Sequence, residues 1–129
     1  MKIIILILTL TFVGLHCHTP TYQPCKHCDR HIKWKHREEG NKLIFYPEKR
    51  TIVAIKSLAV SNLQTHEGLW AITRKEWGGY DVTEIIYGQN FQDATIEINA
   101  KKLKRGDTYR IYISRSELTF IMDEYEFTF

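Results

Sequence analysis

The chain contains 129 residues with a formal net charge of +3, a hydrophobic fraction of 43% and a charged fraction of 26%. This length suits one domain with a modest core, and the balanced composition argues against an intrinsically disordered chain. The net charge is too small to indicate nucleic-acid binding, because recognition of phosphates needs a concentrated basic face.

Residues 1–17 predict that the protein is exported. A lysine at position 2 precedes a predominantly apolar run over residues 3–15. This run is shorter than the roughly 20 residues that a membrane-spanning helix needs, and it matches the apolar core of a secretory signal. We therefore predict a signal peptide over residues 1–17, followed by more polar chain.

Two interpretations of the leader's end stay open. Cleavage after Cys17 would place Leu15 and Cys17 at the peptidase's two specificity positions. The stretch "GLHC" also resembles a bacterial lipobox, although Gly14 and His16 depart from its usual residues. That resemblance implies an acylated Cys17 and attachment to a membrane through lipid. The mature protein is accordingly predicted to be either secreted or lipid-anchored at the cell envelope.

Residues 18–40 are predicted to be a polar tether rich in Cys and His. They contain two prolines, dense charge and no useful apolar periodicity, with at most one helical turn over "DRHIKWKHREEG" closed by Gly40. In the alternative, Ile32 and Trp34 fold onto the domain that follows. The charges crowded into the same short run favour the tether.

Cysteines occur within the tether at the spacing Cys25-x-x-Cys28. In an oxidising compartment this pair predicts a local disulfide, which would stabilise weakly because it closes a very short loop. Haem attachment is excluded because Asp29, not histidine, follows the second cysteine.

A metal site is the second interpretation of the same stretch. Four side chains with ligand chemistry suited to zinc or copper lie close together in sequence. They are Cys25, Cys28, His31 and His36, with His27 as a spare. Such a site would order only its own loop, because all of its ligands lie within one short segment.

From residue 42 onward the residue pattern is typical of a β protein. Short runs rich in β-branched and aromatic residues recur between turn signals. They are "KLIFY" (42–46), "TIVAIKSLAV" (51–60), "GLWAITRK" (68–75), "YDVTEIIY" (80–87), "ATIEINA" (94–100), "TYRIYIS" (108–114) and "ELTFIMDEYEFTF" (117–129). Strands without long helical connections exclude βαβ units.

Alternation within these runs indicates antiparallel strands with one exposed face. In "TYRIYIS", Tyr109, Ile111 and Ile113 share one face of the strand, and in "TIEIN" Ile96 and Ile98 point away from the intervening glutamate. A period of two with one polar face is typical of antiparallel sheets. The predicted fold is an all-β antiparallel sandwich of about seven strands over residues 41–129.

One segment, "LKRGDTYRIYI" (103–113), resembles the turn into strand F of fibronectin type III domains. The recurring positions are Leu103, Gly106, Tyr109 and Ile113. The resemblance implies an immunoglobulin-like or fibronectin III-like sandwich, in which the tyrosine hydroxyl bonds back to upstream backbone at a structural corner. It also implies a core role for Trp70 in "LWAITRK", whereas Arg105 replaces the family's usual proline.

The folded region offers little that predicts catalysis. Its one histidine is His66, its serines are few, and no glycine-rich phosphate loop occurs. Acidic residues in the last run, including Asp123 and Glu124, are interpreted as a solvated strand edge that discourages aggregation. The "RGD" at 105–107 is interpreted as part of a turn, not as an adhesion motif. We predict that the protein is not an enzyme.

Exposed aromatic side chains are the remaining candidates for a binding surface, because tyrosine and tryptophan anchor interfaces. The main candidates are Trp77, Tyr80 and Tyr87, and Trp34 and Phe91 are further candidates. The predicted function is a non-catalytic exported module that binds a protein or glycan. The alternative is an extracytoplasmic zinc- or copper-binding protein that uses the cluster at 25–36.

Overall fold

Nine strands in two antiparallel sheets make up the computed structural model, which describes residues 31–76, 78–115 and 122–129. The predicted all-β antiparallel sandwich is confirmed. The strands are β1 (Trp34–Glu39), β2 (Lys42–Pro47), β3 (Val53–Asn62), β4 (Gly68–Arg74), β5 (Tyr80–Val82), β6 (Ile85–Ile86), β7 (Ala94–Ile98), β8 (Thr108–Arg115) and β9 (Met122–Thr128).

The smaller sheet has the strand order β1-β2-β6. β1 and β2 form a hairpin whose last pair is Glu39 with Lys42, so Gly40 and Asn41 alone make the turn. Gly40 has a φ of 60°, a left-handed conformation that glycine adopts without a steric cost. The hairpin therefore places its turn at one end of the sandwich.

The larger sheet has the order β7-β4-β3-β8-β9. β8 pairs with one edge of β3, and β4 and β5 pair with different parts of its other edge. The predicted phase of β8 is confirmed, because Tyr109, Ile111 and Ile113 are buried and the residues between them are only partly covered. Every second side chain of β8 thus enters the core.

The core lies between the two sheets. Aromatic rings pack edge to face within it. The ring centroids of Phe45 and Phe127 lie 4.9 Å apart, and those of Trp70 and Tyr87 lie 5.3 Å apart. Aromatic pairs of this geometry add to the stabilisation that comes from area burial. The largest fully buried side chains are Tyr109, Phe45, Ile55, Ile85, Ile111, Ile113, Val60, Asp123 and Pro47.

The structure corrects the predicted tether where it describes it. Residues of the expected tether and helical turn form β1, which pairs along its whole length with β2. The folded domain therefore begins before residue 41, and the predicted boundary lies too far along the chain. Residues 18–30 lie outside the described part, so the tether prediction stands untested there.

Alternation explains why this segment joins the sandwich. Trp34 is 3% exposed and Ile32 packs against the core, whereas Lys33 and Lys35 are exposed. The charges that favoured a tether occupy the outward positions of an extended segment, where they cost little. The weighed alternative, in which Ile32 and Trp34 fold onto the domain, is the one observed.

Residues 80–87 were expected to form one strand, and this expectation is wrong. β5 pairs with β3 in the larger sheet, and β6 pairs with β2 in the smaller sheet. The chain crosses between sheets at residues 83–84. This division and β1 raise the number of strands from about seven to nine.

On the edge strand β7, Ile96 is the register partner of buried Ile72, but its own side chain is 50% exposed.

The corner before β8 is held by one side chain. Tyr109 is 1% exposed, and its hydroxyl accepts a hydrogen bond of 2.8 Å from the backbone N–H of Lys104. Leu103 is buried beside it, and Gly106 turns the chain with a φ of 87°. The geometry closes the loop between β7 and β8 against the sandwich.

We expect Tyr109→Phe to lower the free energy of unfolding by about 1–3 kcal/mol, because it leaves a backbone donor at the corner without its acceptor. The measurement is equilibrium unfolding in urea. Tyr112→Phe on the same strand is the control, since among the described residues its hydroxyl accepts only a long 3.4 Å contact from Arg110. Equal losses in the two variants would contradict the role of the corner.

Candidate functional site

A buried carboxylate lies at the end of the sandwich where β1 begins. Asp123 is 1% exposed. Its Oδ1 accepts a hydrogen bond of 3.1 Å from the backbone N–H of Ile32, and its Oδ2 accepts one of 3.3 Å from the indole Nε1 of Trp34. The Arg115 Nε lies 3.3 Å from Oδ2, and both side chains of this ion pair are almost fully buried.

The interpretation of Asp123 as part of a solvated strand edge is wrong. Along β9, Asp123 alternates in phase with Tyr125 and Phe127, and its register partner is buried Ile113. Its side chain therefore points inward. A buried carboxylate is tolerated when it is paired and its lone pairs are hydrogen-bonded, and both conditions hold here.

The two histidines proposed as metal ligands contact different residues of β9. His31 is 76% exposed, with its Nδ1 3.5 Å from the Asp123 Oδ1. His36 lies on β1, where its Nδ1 is 2.8 Å from the Tyr125 hydroxyl and its ring packs against Phe127. His36 thus serves as a contact between the two sheets.

The remaining members of the proposed metal and disulfide sites, Cys25 and Cys28, lie outside the described residues, as do His27 and the lipid-anchor candidate Cys17. Within the described ranges, no three His, Cys, Asp or Glu side chains come together in a way that could hold a metal ion. The metal and disulfide interpretations therefore stay predictions.

The aromatic candidates do not form one surface. Tyr80 starts β5, and its ring packs at a tilt against Phe91 with the ring centroids 4.9 Å apart. Its hydroxyl donates a hydrogen bond to the backbone oxygen of Gln92. Tyr87 follows β6, and its backbone N–H bonds to the Leu43 oxygen near the β1–β2 turn, at the other end of the sandwich. Trp77 lies outside the described residues.

The "RGD" residues are built into the corner before β8. Arg105 pairs with Glu38 at 2.8 Å and covers the ring of Phe129. The Asp107 carboxylate accepts a hydrogen bond from the Asn62 side chain. Internal contacts of both charged side chains agree with the interpretation of this tripeptide as a turn.

A groove of about 880 Å³ opens at the same end of the sandwich. We call it the corner groove. It lies between the β1–β2 turn and the loop that leads to the corner tyrosine. Its lining residues are Gly40, Asn41, Leu43, Tyr87, Lys102, Leu103, Lys104, Arg105 and Phe129.

Apolar side chains form the floor of the corner groove. Leu43 and Leu103 are buried, and Tyr87 and Phe129 are half-buried. The Tyr87 hydroxyl donates to the backbone oxygen of Lys101 at 2.8 Å, and burial raises the pKa of Tyr87 to about 12. The phenol therefore stays neutral and fixed at ordinary pH.

The rim of the corner groove carries positive charge. Lys101 pairs with Glu67 at 2.9 Å, and Arg105 pairs with Glu38. Lys102 and Lys104 are exposed, and in the described part of the chain neither forms an ion pair. Two ammonium groups thus remain available beside an apolar floor.

A second, smaller groove of about 400 Å³ lies at the opposite end of the sandwich. It is formed by the start of the described chain and the β2–β3 turn, and His31, Ile32 and Lys33 line one side of it. Exposed Lys49 and Glu48 line the other. Its mixed charges give no consistent preference for one class of ligand.

The sequence interpretation did not identify the corner groove. The available signal was the order Lys102-Leu103-Lys104, in which a residue expected to plug the sandwich lies between two lysines. The missing information was the position of the β1–β2 turn, since Gly40 was assigned to the end of the tether and no strand was predicted before it. The second wall of the groove belongs to a hairpin that had not been predicted.

Comparison of the chain with models of known protein families, with curated proteins and with solved structures finds no match. Among the described residues, no helix has the length and apolar character of a membrane span.

Proposed function

We propose that this protein is an exported, non-catalytic β-sandwich module that binds another macromolecule through the corner groove. The observation that carries the proposal is the combination of an apolar floor with two exposed lysines that form no ion pair within the described residues. Apolar concave sites with a few placed polar groups are typical of binding sites. Loops on a rigid sandwich commonly carry such sites.

The proposed sandwich type is immunoglobulin-like or fibronectin III-like. In that family the strand that begins with the corner tyrosine lies between strand C and the last strand, G. Here β8 lies between β3 and β9, and the Tyr109 hydroxyl bonds to the backbone of Lys104. We propose that the separate sheet β1-β2-β6 corresponds to the family's second sheet.

Two features depart from that family. Trp70 is buried as the resemblance implied, but it lies on β4, one strand away from the neighbour of β8. The strand before the corner, β7, also pairs with β4 in the same sheet as β8, whereas strands E and F of that family lie in different sheets. We therefore propose the family resemblance for the corner and the central strands only.

Export rests on the leader at residues 1–17, and lipid anchorage rests on Cys17, both outside the described residues. The module is proposed to be secreted, or held at the envelope if Cys17 is acylated. The proposal of a non-catalytic role is supported by the described histidines. His31 is beside Asp123, His36 contacts Tyr125, and His66 is exposed in the β3–β4 turn.

A displayed-peptide library and a glycan array, both probed with the mature protein, test this function. We expect ligands that bind wild type and lose about tenfold or more in affinity with Lys102→Glu/Lys104→Glu, because charge reversal removes two attractive contacts at the rim. Binding is measured by surface plasmon resonance.

The matched control is Lys49→Glu/Lys75→Glu, which makes the same change of charge. Lys49 lies in the β2–β3 turn and Lys75 follows β4, both at the far end of the sandwich, and both are exposed. Ligands that bind the groove variant and the control equally well, or an absence of ligands in both screens, would contradict the proposed function.

A zinc- or copper-binding role is the second candidate. The favouring observation is that His31, three residues after Cys28, is 76% exposed and therefore accessible to a local site. His36 is less suited, because its Nδ1 is engaged by Tyr125. Native mass spectrometry with added zinc or copper tests this role. Stoichiometric metal in wild type that is lost in Cys25→Ser/His31→Ala supports it, and no retained metal rules it out.

A further inference from the structure

We infer that the corner groove binds an acidic peptide segment of a protein partner, in which an apolar side chain lies between two carboxylates. The apolar side chain contacts Leu43, Leu103 and Phe129, and the carboxylates pair with Lys102 and Lys104. This inference rests on the proposed function and names the chemistry of its partner.

Burial along the loop supports this arrangement. Lys102 and Lys104 are exposed and Leu103 between them is buried, so the two ammonium groups lie on the outer side of the loop with apolar surface beside them. The flexible stem of lysine lets each ammonium group reach a carboxylate over a range of positions.

The periodicity of an extended peptide suits these groups. Alternate residues of an extended chain share one face. A segment of the form acidic–x–apolar–x–acidic therefore presents both carboxylates and the apolar side chain to the same surface. The groove volume of about 880 Å³ is within the range of about 300–1,000 Å³ that is typical of ligand sites.

Other anionic partners use less of this surface. A sulfated glycan satisfies the lysines but offers no large apolar group to the floor made by Leu43 and Leu103. Nucleic acid is held through many phosphate contacts, whereas Lys101 and Arg105 are already paired with Glu67 and Glu38. The combination of charge and apolar floor favours a peptide.

Titration of ¹⁵N-labelled mature protein with the peptide Ser-Glu-Gly-Phe-Gly-Glu-Ser, followed by NMR chemical shifts, tests the inference. We expect saturable shifts centred on residues 101–105 and Phe129. Replacing both glutamates of the peptide by glutamine, or its phenylalanine by serine, should weaken binding about tenfold, since each change removes one of the two kinds of contact. Raising the salt concentration should weaken binding further because exposed charges are screened.

Variants of the protein locate the contacts. Lys102→Glu/Lys104→Glu should abolish the saturable shifts, and Lys49→Glu/Lys75→Glu should retain them. All four lysines are exposed, so both variants are expected to keep the spectrum of the folded domain.

Three results would overturn the inference: no saturable shift, shifts centred away from the corner groove, or equal affinity for the glutamate and glutamine peptides. A parallel titration with a heparin tetrasaccharide separates the two proposals. Binding of the glycan alone at residues 101–105 would reject the peptide but leave the proposed macromolecular binding intact. Failure of the peptide together with empty library and array screens would reject both.

Discussion

The carboxylate of Asp123 joins the two sheets at one end of the sandwich. It belongs to β9 in the larger sheet, and it accepts hydrogen bonds from Ile32 and Trp34 at the start of the smaller one. Breaking a buried ion pair typically costs about 3–5 kcal/mol, because the remaining charge is left without compensation. Asp123 forms a buried ion pair of this kind with the Arg115 guanidinium. Further along the same two strands, the contact of His36 with Tyr125 repeats the connection. The first half of β1 is thereby held against the larger sheet.

This constraint has consequences at the other end of the molecule. Docking of β1 against the larger sheet positions its hairpin with β2, and the turn of that hairpin forms one wall of the corner groove. The opposite wall is set by Tyr109, which holds the loop through Lys104. Two polar contacts with different partners therefore position the two sides of the proposed binding surface. A groove with fixed walls loses less conformational entropy on binding than a pair of mobile loops.

Much of the sandwich could be predicted from local patterns. Alternation gave the phase of β8, and the resemblance of residues 103–113 to the turn into strand F of fibronectin type III domains implied the corner contact that is present in the structure. The errors arose because charged residues in a segment were taken as a sign that the whole segment is exposed to solvent. Trp34 alternates with exposed lysines, and Asp123 shares its face of β9 with Tyr125 and Phe127. Both were in phase with the core, yet the surrounding charges suggested solvent. Alternation can reveal that such residues face inward, but their pairing joins positions 89 residues apart in sequence. No local pattern contains that information, and the corner groove, which depends on it, was missed for the same reason.

The most direct test of this account is the coupling energy between Trp34 and Asp123. Urea unfolding of Trp34→Phe, Asp123→Asn and the double variant gives this energy as the deviation from additivity. A hydrogen bond from the indole to a buried carboxylate predicts a coupling of about 1–3 kcal/mol, since hydrogen bonds to charged groups are among the stronger ones. Effects that add within about 0.5 kcal/mol would show that the two residues are energetically independent. That result would contradict the claim that Asp123 holds the first strand to the domain.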